Sequence, residues 1–213
     1  MKKAIITGAS SGLGLEIGNL LKNDSFEVIN ISRKDSPFND IKCDLSLDTM
    51  IGDVIEKIKK EHDKFDVIIL NSGIMPLAKI GQTNFDIDNL FKINVTGAIK
   101  IIDGLLDLIK KNGADIIIVG STAAKQGYDE HGIYCATKHA LDGYIKSLQA
   151  ELKEEKVRVI GFHPGGFNSN LRGGIVKEGY MDPRELAKLI IQLINLPKVM
   201  EVSDIVITRK KNY

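Results

Sequence analysis

The stretch "KKAIITGASSGLGLEIGNLL", residues 2–21, decides the fold. A short branched apolar run, a glycine-rich turn and an amphipathic helical pattern follow one another without a break. The turn, "TGASSGLG" from Thr7 to Gly14, places its glycines at Gly8, Gly12 and Gly14. That spacing is not the common G-x-G-x-x-G fingerprint. It is not a P-loop either, since no Lys-Ser or Lys-Thr pair closes it. The physics of both motifs survives, however. Glycines let a backbone approach a pyrophosphate closely, and the N-terminus of the following helix favours its charge. Taken alone, the loop reads equally well as a glycine-rich strand–helix turn that holds no ligand.

The same alternation extends along the chain. "KAIIT", "FEVINIS", "DVIILN", "DIIIVGS", "VRVIGF" and "DIVIT" read as buried parallel strands, being short, branched and bounded by turn residues, and "IKCDL" reads as one more. Amphipathic patterns predict helices over residues 12–23, 46–61, 85–111, 134–153 and 183–195. Unbroken strand–helix alternation implies an α/β fold, a Rossmann-type doubly wound parallel sheet, with residues 1–213 forming a single domain. Residues 165–182 are glycine-rich and lack periodicity, so they read as a loop at a strand's carboxyl end and a candidate lid. Within it, Arg172 and Lys177 either attract an acidic substrate or remain solvated.

Composition excludes several function classes. A net charge of +1 with scattered lysines argues against a nucleic-acid partner. No run approaches the roughly 18 apolar residues of a membrane span. Only Ala4-Ile5-Ile6 follows the opening lysines, too little for a secretory h-region. Cys43 and Cys135 make no disulfide framework and fit free thiols in a reducing cytoplasm. His62, His131, His139 and His163 are unclustered and give no metal-ligand spacing.

The pattern T-G-x-x-x-G-x-G resembles the short-chain dehydrogenase/reductase family, with Thr7, Gly8, Gly12 and Gly14 all matching. The resemblance implies that this loop, including Ser10, Ser11 and Leu13, holds a dinucleotide pyrophosphate. Which dinucleotide depends on the end of the second strand, "VINISRKD". An NAD site places an acid there for the ribose 2′-hydroxyl, whereas an NADP site uses Arg. Ser32 stands at the acid's position, followed by Arg33 and Lys34, with Asp35 close by. NADP(H) is therefore favoured over NAD(H), because Arg clamps a phosphate with two parallel bonds. Such a charge-assisted pair contributes roughly 1.5–3 kcal/mol, or about 10- to 150-fold in affinity. Asp44, followed by Leu45, resembles the family's adenine-contacting acid, and reads equally as a helix-capping residue. Asn71-Ser72-Gly73 resembles the family's N-A-G segment, with Ser72 in place of alanine.

"YCATK", Tyr134 to Lys138, is the candidate reaction site. Four residues apart on a helix, the phenol and the ammonium share one face. A free phenol has a pKa near 10, too high for ready proton exchange at neutral pH. An ammonium about 4 Å away favours the phenolate by up to about 4 kcal/mol at an effective dielectric of about 20. By itself Y-x-x-x-K more often marks surface helix neighbours. The resemblance adds Ser121, which closes "DIIIVGS" and would orient a carbonyl, and Asn94, which would support a proton relay beside Lys138. "HPGGFNS" resembles the family's P-G-x-x-x-T segment, so Pro164, Gly165, Phe167 and Ser169 are expected beside the nicotinamide. His131 is placed at the substrate mouth, and His163 beside the cofactor loop.

Together these matches imply an NADP(H)-dependent oxidoreductase that interconverts a carbonyl and a secondary alcohol. The alternative is a non-catalytic NADP(H)-binding regulatory protein of the same fold. The partner is a small carbonyl or alcohol, and the resemblance implies a homodimer or homotetramer.

Overall fold

The computed structural model describes residues 1–169, 171 and 176–210. The apolar runs become β1 (Lys2–Thr7), β2 (Phe26–Ser32), β3 (Asn39–Lys42), β4 (Val67–Leu70), β5 (Asp115–Val119), β6 (Val159–Pro164) and β7 (Asp204–Ile207). They pair in parallel in the order β3-β2-β1-β4-β5-β6-β7. Side chains alternate between the two faces of each strand. On β1, Ile5 joins one core layer while Ala4 and Ile6 join the other. Both faces are covered, which is why the central strands read as continuous apolar runs.

The covering helices are α1 (Gly12–Asn23), α2 (Asp48–Glu61), α3 (Ile87–Phe91), α4 (Gly97–Asn112), α5 (Gly132–Glu151) and α6 (Pro183–Ile194). Helices α2, α4 and α5 bury Ile51, Ile101 and Ile145 on one face. Helices α1 and α6 bury Ile17 and Ile190 on the other. Because β1 lies between β2 and β4, the winding reverses there, and the crevice opens at the strands' carboxyl ends.

Residues 85–111 are not one regular helix, as the apolar periodicity predicts. The Asp86 carboxylate accepts from the Asn89 N–H at 3.0 Å and caps α3. A π turn, Lys92–Thr96, then separates α3 from α4. The wider turn changes which side chains face inward, and it buries Asn94. Helix α5 begins at Gly132, ahead of the Tyr134 expected from sequence, and α2 begins at Asp48, after a turn organised by Asp44.

Candidate active site

Gly8 and Gly12 take left-handed φ angles of +75° and +56°, as the turn from β1 into α1 demands. A Cβ on Gly8 would lie 2.7 Å from Ser72 Oγ, and one on Gly14 would strike the Gly8 carbonyl oxygen. Ser11 precedes α1 without a side-chain capping bond, so the first-turn N–H groups face the crevice. Thr7 does not line the cleft. Its Oγ1 accepts from the N–H groups of Asn71 and Ser72 at 2.9 and 3.0 Å, tying β1 to the end of β4. Asn71 Nδ2 returns a bond to the Gly8 carbonyl at 3.3 Å. Thr7 and Gly14 thus shape the loop from behind, whereas Gly8, Ser10, Ser11, Gly12 and Leu13 face a cleft of about 830 Å³.

At the far end of that cleft Ser32 is part of the turn: its hydroxyl donates to the Lys34 carbonyl at 2.7 Å and accepts from Asn30 at 2.9 Å. Arg33 Nη1 lies 3.6 Å from Asp44 Oδ2, with the Arg33 side chain 61% exposed. Asp44 does not cap α2. Its Oδ1 accepts from the N–H and the hydroxyl of Ser46 at 2.9 and 2.7 Å. Those bonds, and then Arg33, hold its carboxyl below the usual range. Asp35 is engaged by Lys42 at 2.5 Å and is not among the cleft's lining residues. Leu45, Ser72 and Gly73 line the wall between the two ends.

Strand β5 delivers Ser121 to the other end. Ser121 Oγ accepts from the Ala123 N–H at 3.1 Å, capping a short 3-10 turn, Thr122–Ala124, and its own hydroxyl proton stays available. Tyr134 and Lys138 occupy successive turns of α5, with Lys138 Nζ 5.8 Å from the centre of the Tyr134 ring. Both line the cleft, yet each is almost wholly buried. Lys138 Nζ donates to the Val119 carbonyl at 3.1 Å. Burial lowers its pKa to about 8. Asn94 lies behind this pair instead of on the cleft wall. Its Oδ1 accepts from the Ile74 N–H at 2.8 Å, and its Nδ2 donates to the Ile74 carbonyl at 2.9 Å and to Thr137 Oγ1 at 3.2 Å. A solvent-facing asparagine is thereby ruled out, since Asn94 is 1% exposed.

Pro164, Gly165, Phe167 and Ser169 line the cleft from the β6 side. Asn168 N–H donates to the Met181 carbonyl at 3.0 Å, and Met181 N–H to the Gly166 carbonyl at 3.2 Å, so the two ends of the loop are stitched together. Lys177 is exposed, and Arg172 lies outside the described residues.

The family described as short chain dehydrogenase matches residues 2–178. This chain belongs to the short-chain dehydrogenase/reductase family. Relatives include a carbonyl reductase family member 4 of Xenopus tropicalis, 26% identical with 93% of each chain covered. An uncharacterized oxidoreductase of Staphylococcus saprophyticus is 24% identical, covering 97% of this chain and 96% of the relative. The alcohol dehydrogenase of Thermococcus sibiricus, solved with 5-hydroxy-NADP, superposes with a TM-score of 0.89 at 22% identity, covering 100% and 98% of the two chains.

In this short-chain dehydrogenase several wall residues carry no sequence signal. Tyr128 donates to Thr122 Oγ1 at 2.8 Å and so braces the segment after Ser121. His131 lines the cleft, its ring 6.4 Å from that of Tyr134. Tyr180, Thr208 and Arg209 come in from the loop and the chain beyond β7. His163 is not at the cofactor loop. It is fully buried, with Nε2 2.9 Å from Asp204 Oδ1 and 3.5 Å from Asp142 Oδ1. Burial holds its pKa below the usual imidazole range. Lys125 and Lys146 each reach Asp142 at 2.7 Å and balance that cluster. Asp142 follows Lys138 by one turn, the spacing from which its burial on the same face can be read.

Proposed function

We propose that this chain is an NADP(H)-dependent oxidoreductase that interconverts a carbonyl and a secondary alcohol, with residues 1–213 acting as one domain. One observation carries the reading: Ser121, Tyr134 and Lys138 face the same cleft as the glycine turn. The residues present fit a dinucleotide. Gly8 and Gly12 hold left-handed backbone, and the α1 N-terminus opens onto the cleft. Arg33 and Lys34 line its far end with Asp35 held elsewhere by Lys42, an arrangement suited to a 2′-phosphate. When bound, the dinucleotide supplies a hydride donor or acceptor at the nicotinamide.

The protein's own groups handle orientation and the proton. The Ala123 N–H occupies an acceptor position of Ser121, so the Ser121 hydroxyl donates to the substrate oxygen. Tyr134 gives its proton to that oxygen in reduction and takes one in oxidation. With a pKa of about 8, Lys138 is about nine-tenths protonated at pH 7, and its charge stabilises the phenolate. Asn94 holds the Ile74 peptide and Thr137, and so positions the helix turn that carries Lys138. The reading has a small carbonyl or alcohol as partner, a homodimer or homotetramer as assembly and the cytoplasm as location.

The test is Tyr134→Phe. We expect NADPH affinity within about twofold of wild type and turnover lower by about 10²-fold or more, the range of lost acid–base catalysis. Turnover near wild type would sink the mechanism. NADPH binding without Tyr134-dependent turnover of any carbonyl would support the regulatory alternative.

A further inference from the structure

Arg209 lies just beyond β7, yet it belongs to the wall of the cleft. Gly165 places it: a Cβ there would lie 3.6 Å from both the Arg209 backbone nitrogen and Thr122 Cγ2. Gly165 thus stands between the Arg209 backbone and Thr122, the residue after Ser121, and all four line the same cleft. Its guanidinium carbon sits 4.4 Å from the centre of the Tyr180 ring. Stacking of this kind holds the planar cation in place while its N–H donors remain directed outward at the edge. Among the described residues no carboxylate pairs with it.

The surroundings favour an anion. Lys177 Nζ approaches the same Tyr180 ring at 5.8 Å, so two cations gather on one aromatic side chain. Among the described lining residues Asp44 is the only carboxylate, and it sits at the nucleotide end beside Arg33. The carbonyl end has Ser121, Gln126, Tyr128, His131 and Tyr134, none of them acidic. A stacked guanidinium with no carboxylate partner among the described residues offers a fork of donors that matches a carboxylate bidentately.

We infer that Arg209 determines substrate specificity by receiving a carboxylate carried by the substrate. The enzyme then acts on oxo acids and the corresponding hydroxy acids in preference to neutral ketones. The inference rests on the carbonyl–alcohol reading above. The dinucleotide's phosphates are the competing source of oxyanions, and the experiment separates the two.

The probes are pyruvate, acetoacetate and levulinate, each compared with its methyl ester at saturating NADPH. Wild type, Arg209→Gln and Arg209→Lys are compared by kcat/KM, with NADPH dissociation constants measured alongside. For at least one pair the acid is expected to be the better substrate. In Arg209→Gln the acid-to-ester ratio falls by about 10- to 150-fold, mainly through KM, the worth of one charge-assisted bond. Arg209→Lys recovers part of the ratio. An unchanged ratio overturns the inference, as does a parallel loss of NADPH affinity, which would assign Arg209 to the dinucleotide. Calorimetric titration of the same acids into the NADP⁺-saturated protein supplies a readout without turnover. If wild type reduces no carbonyl, the functional reading fails, and acid binding that is equal in wild type and Arg209→Gln still refutes the role of Arg209.

Discussion

Replacing Arg33 with alanine is the most direct perturbation of cofactor choice. Arg33 is 61% exposed and 3.6 Å from Asp44. An exposed pair at that distance contributes little, about 0–1 kcal/mol, so Arg33 can leave Asp44 at small cost. A 2′-phosphate carries close to two negative charges and offers the fork two oxygens, which Asp44, already bonded to Ser46, does not match. Full burial of that contact would be worth up to about 150-fold in affinity. Solvent screening at this exposure reduces it to about tenfold, or ~1.4 kcal/mol. Lys34 also lines the site, so some preference remains after the substitution. The assay is a fluorescence titration of wild type and Arg33→Ala with NADPH and with NADH. We expect NADPH binding to weaken about tenfold, NADH binding to stay within about twofold, and the wild-type preference to shrink as salt is raised. Equal weakening of both cofactors, or of neither, would refute the assignment of Arg33 to the 2′-phosphate.

Two further outcomes follow from the same geometry. Burial lowers the Lys138 pKa to about 8, below the ~10.4 of a free lysine. The unfolded chain therefore holds a proton that the folded chain releases between those values, and stability without cofactor rises with pH across that window. The destabilising contribution is complete below the folded pKa and is relieved by ~2–3 kcal/mol at the upper end. Urea midpoints at pH 7.5 and 10 should show this rise in wild type relative to Lys138→Met, and equal slopes would sink the argument. Gly14→Ala places a methyl against the Gly8 carbonyl and the Asn71 amide, so backbone has to move. Overpacking of this kind costs about 1–3 kcal/mol. Thermal melting should fall by several degrees with NADPH affinity reduced, and a melting curve unchanged from wild type would show that the loop tolerates a side chain there.

Local chemistry explains what the sequence by itself determined. The run "IIIV" of β5, Ile116–Val119, is apolar because both faces of the strand are covered, and that pattern needs no knowledge of the neighbouring strands. The glycine spacing is visible because Gly8 and Gly12 need left-handed backbone, a property of single residues. Tyr134 and Lys138 are linked by helix geometry alone. The tertiary structure decided which residues meet across long separations. Thr7 reaches Asn71, Asn94 closes on Ile74 and Thr137, and Arg33 faces Asp44, none of which a local period encodes. The π turn at Lys92–Thr96 interrupts a pattern that reads as plain helix, and its Asn94 amide pairs with the Ile74 peptide, a partner twenty residues away that helical periodicity does not encode. His163 left the cleft for the same kind of reason: the edge strand β7 brings Asp204 to it, and α5 brings Asp142. Arg209 is the sharpest case. Its sequence neighbours show only a basic tail, and it joins the cleft wall because parallel pairing of β7 with β6 ends that strand beside Gly165.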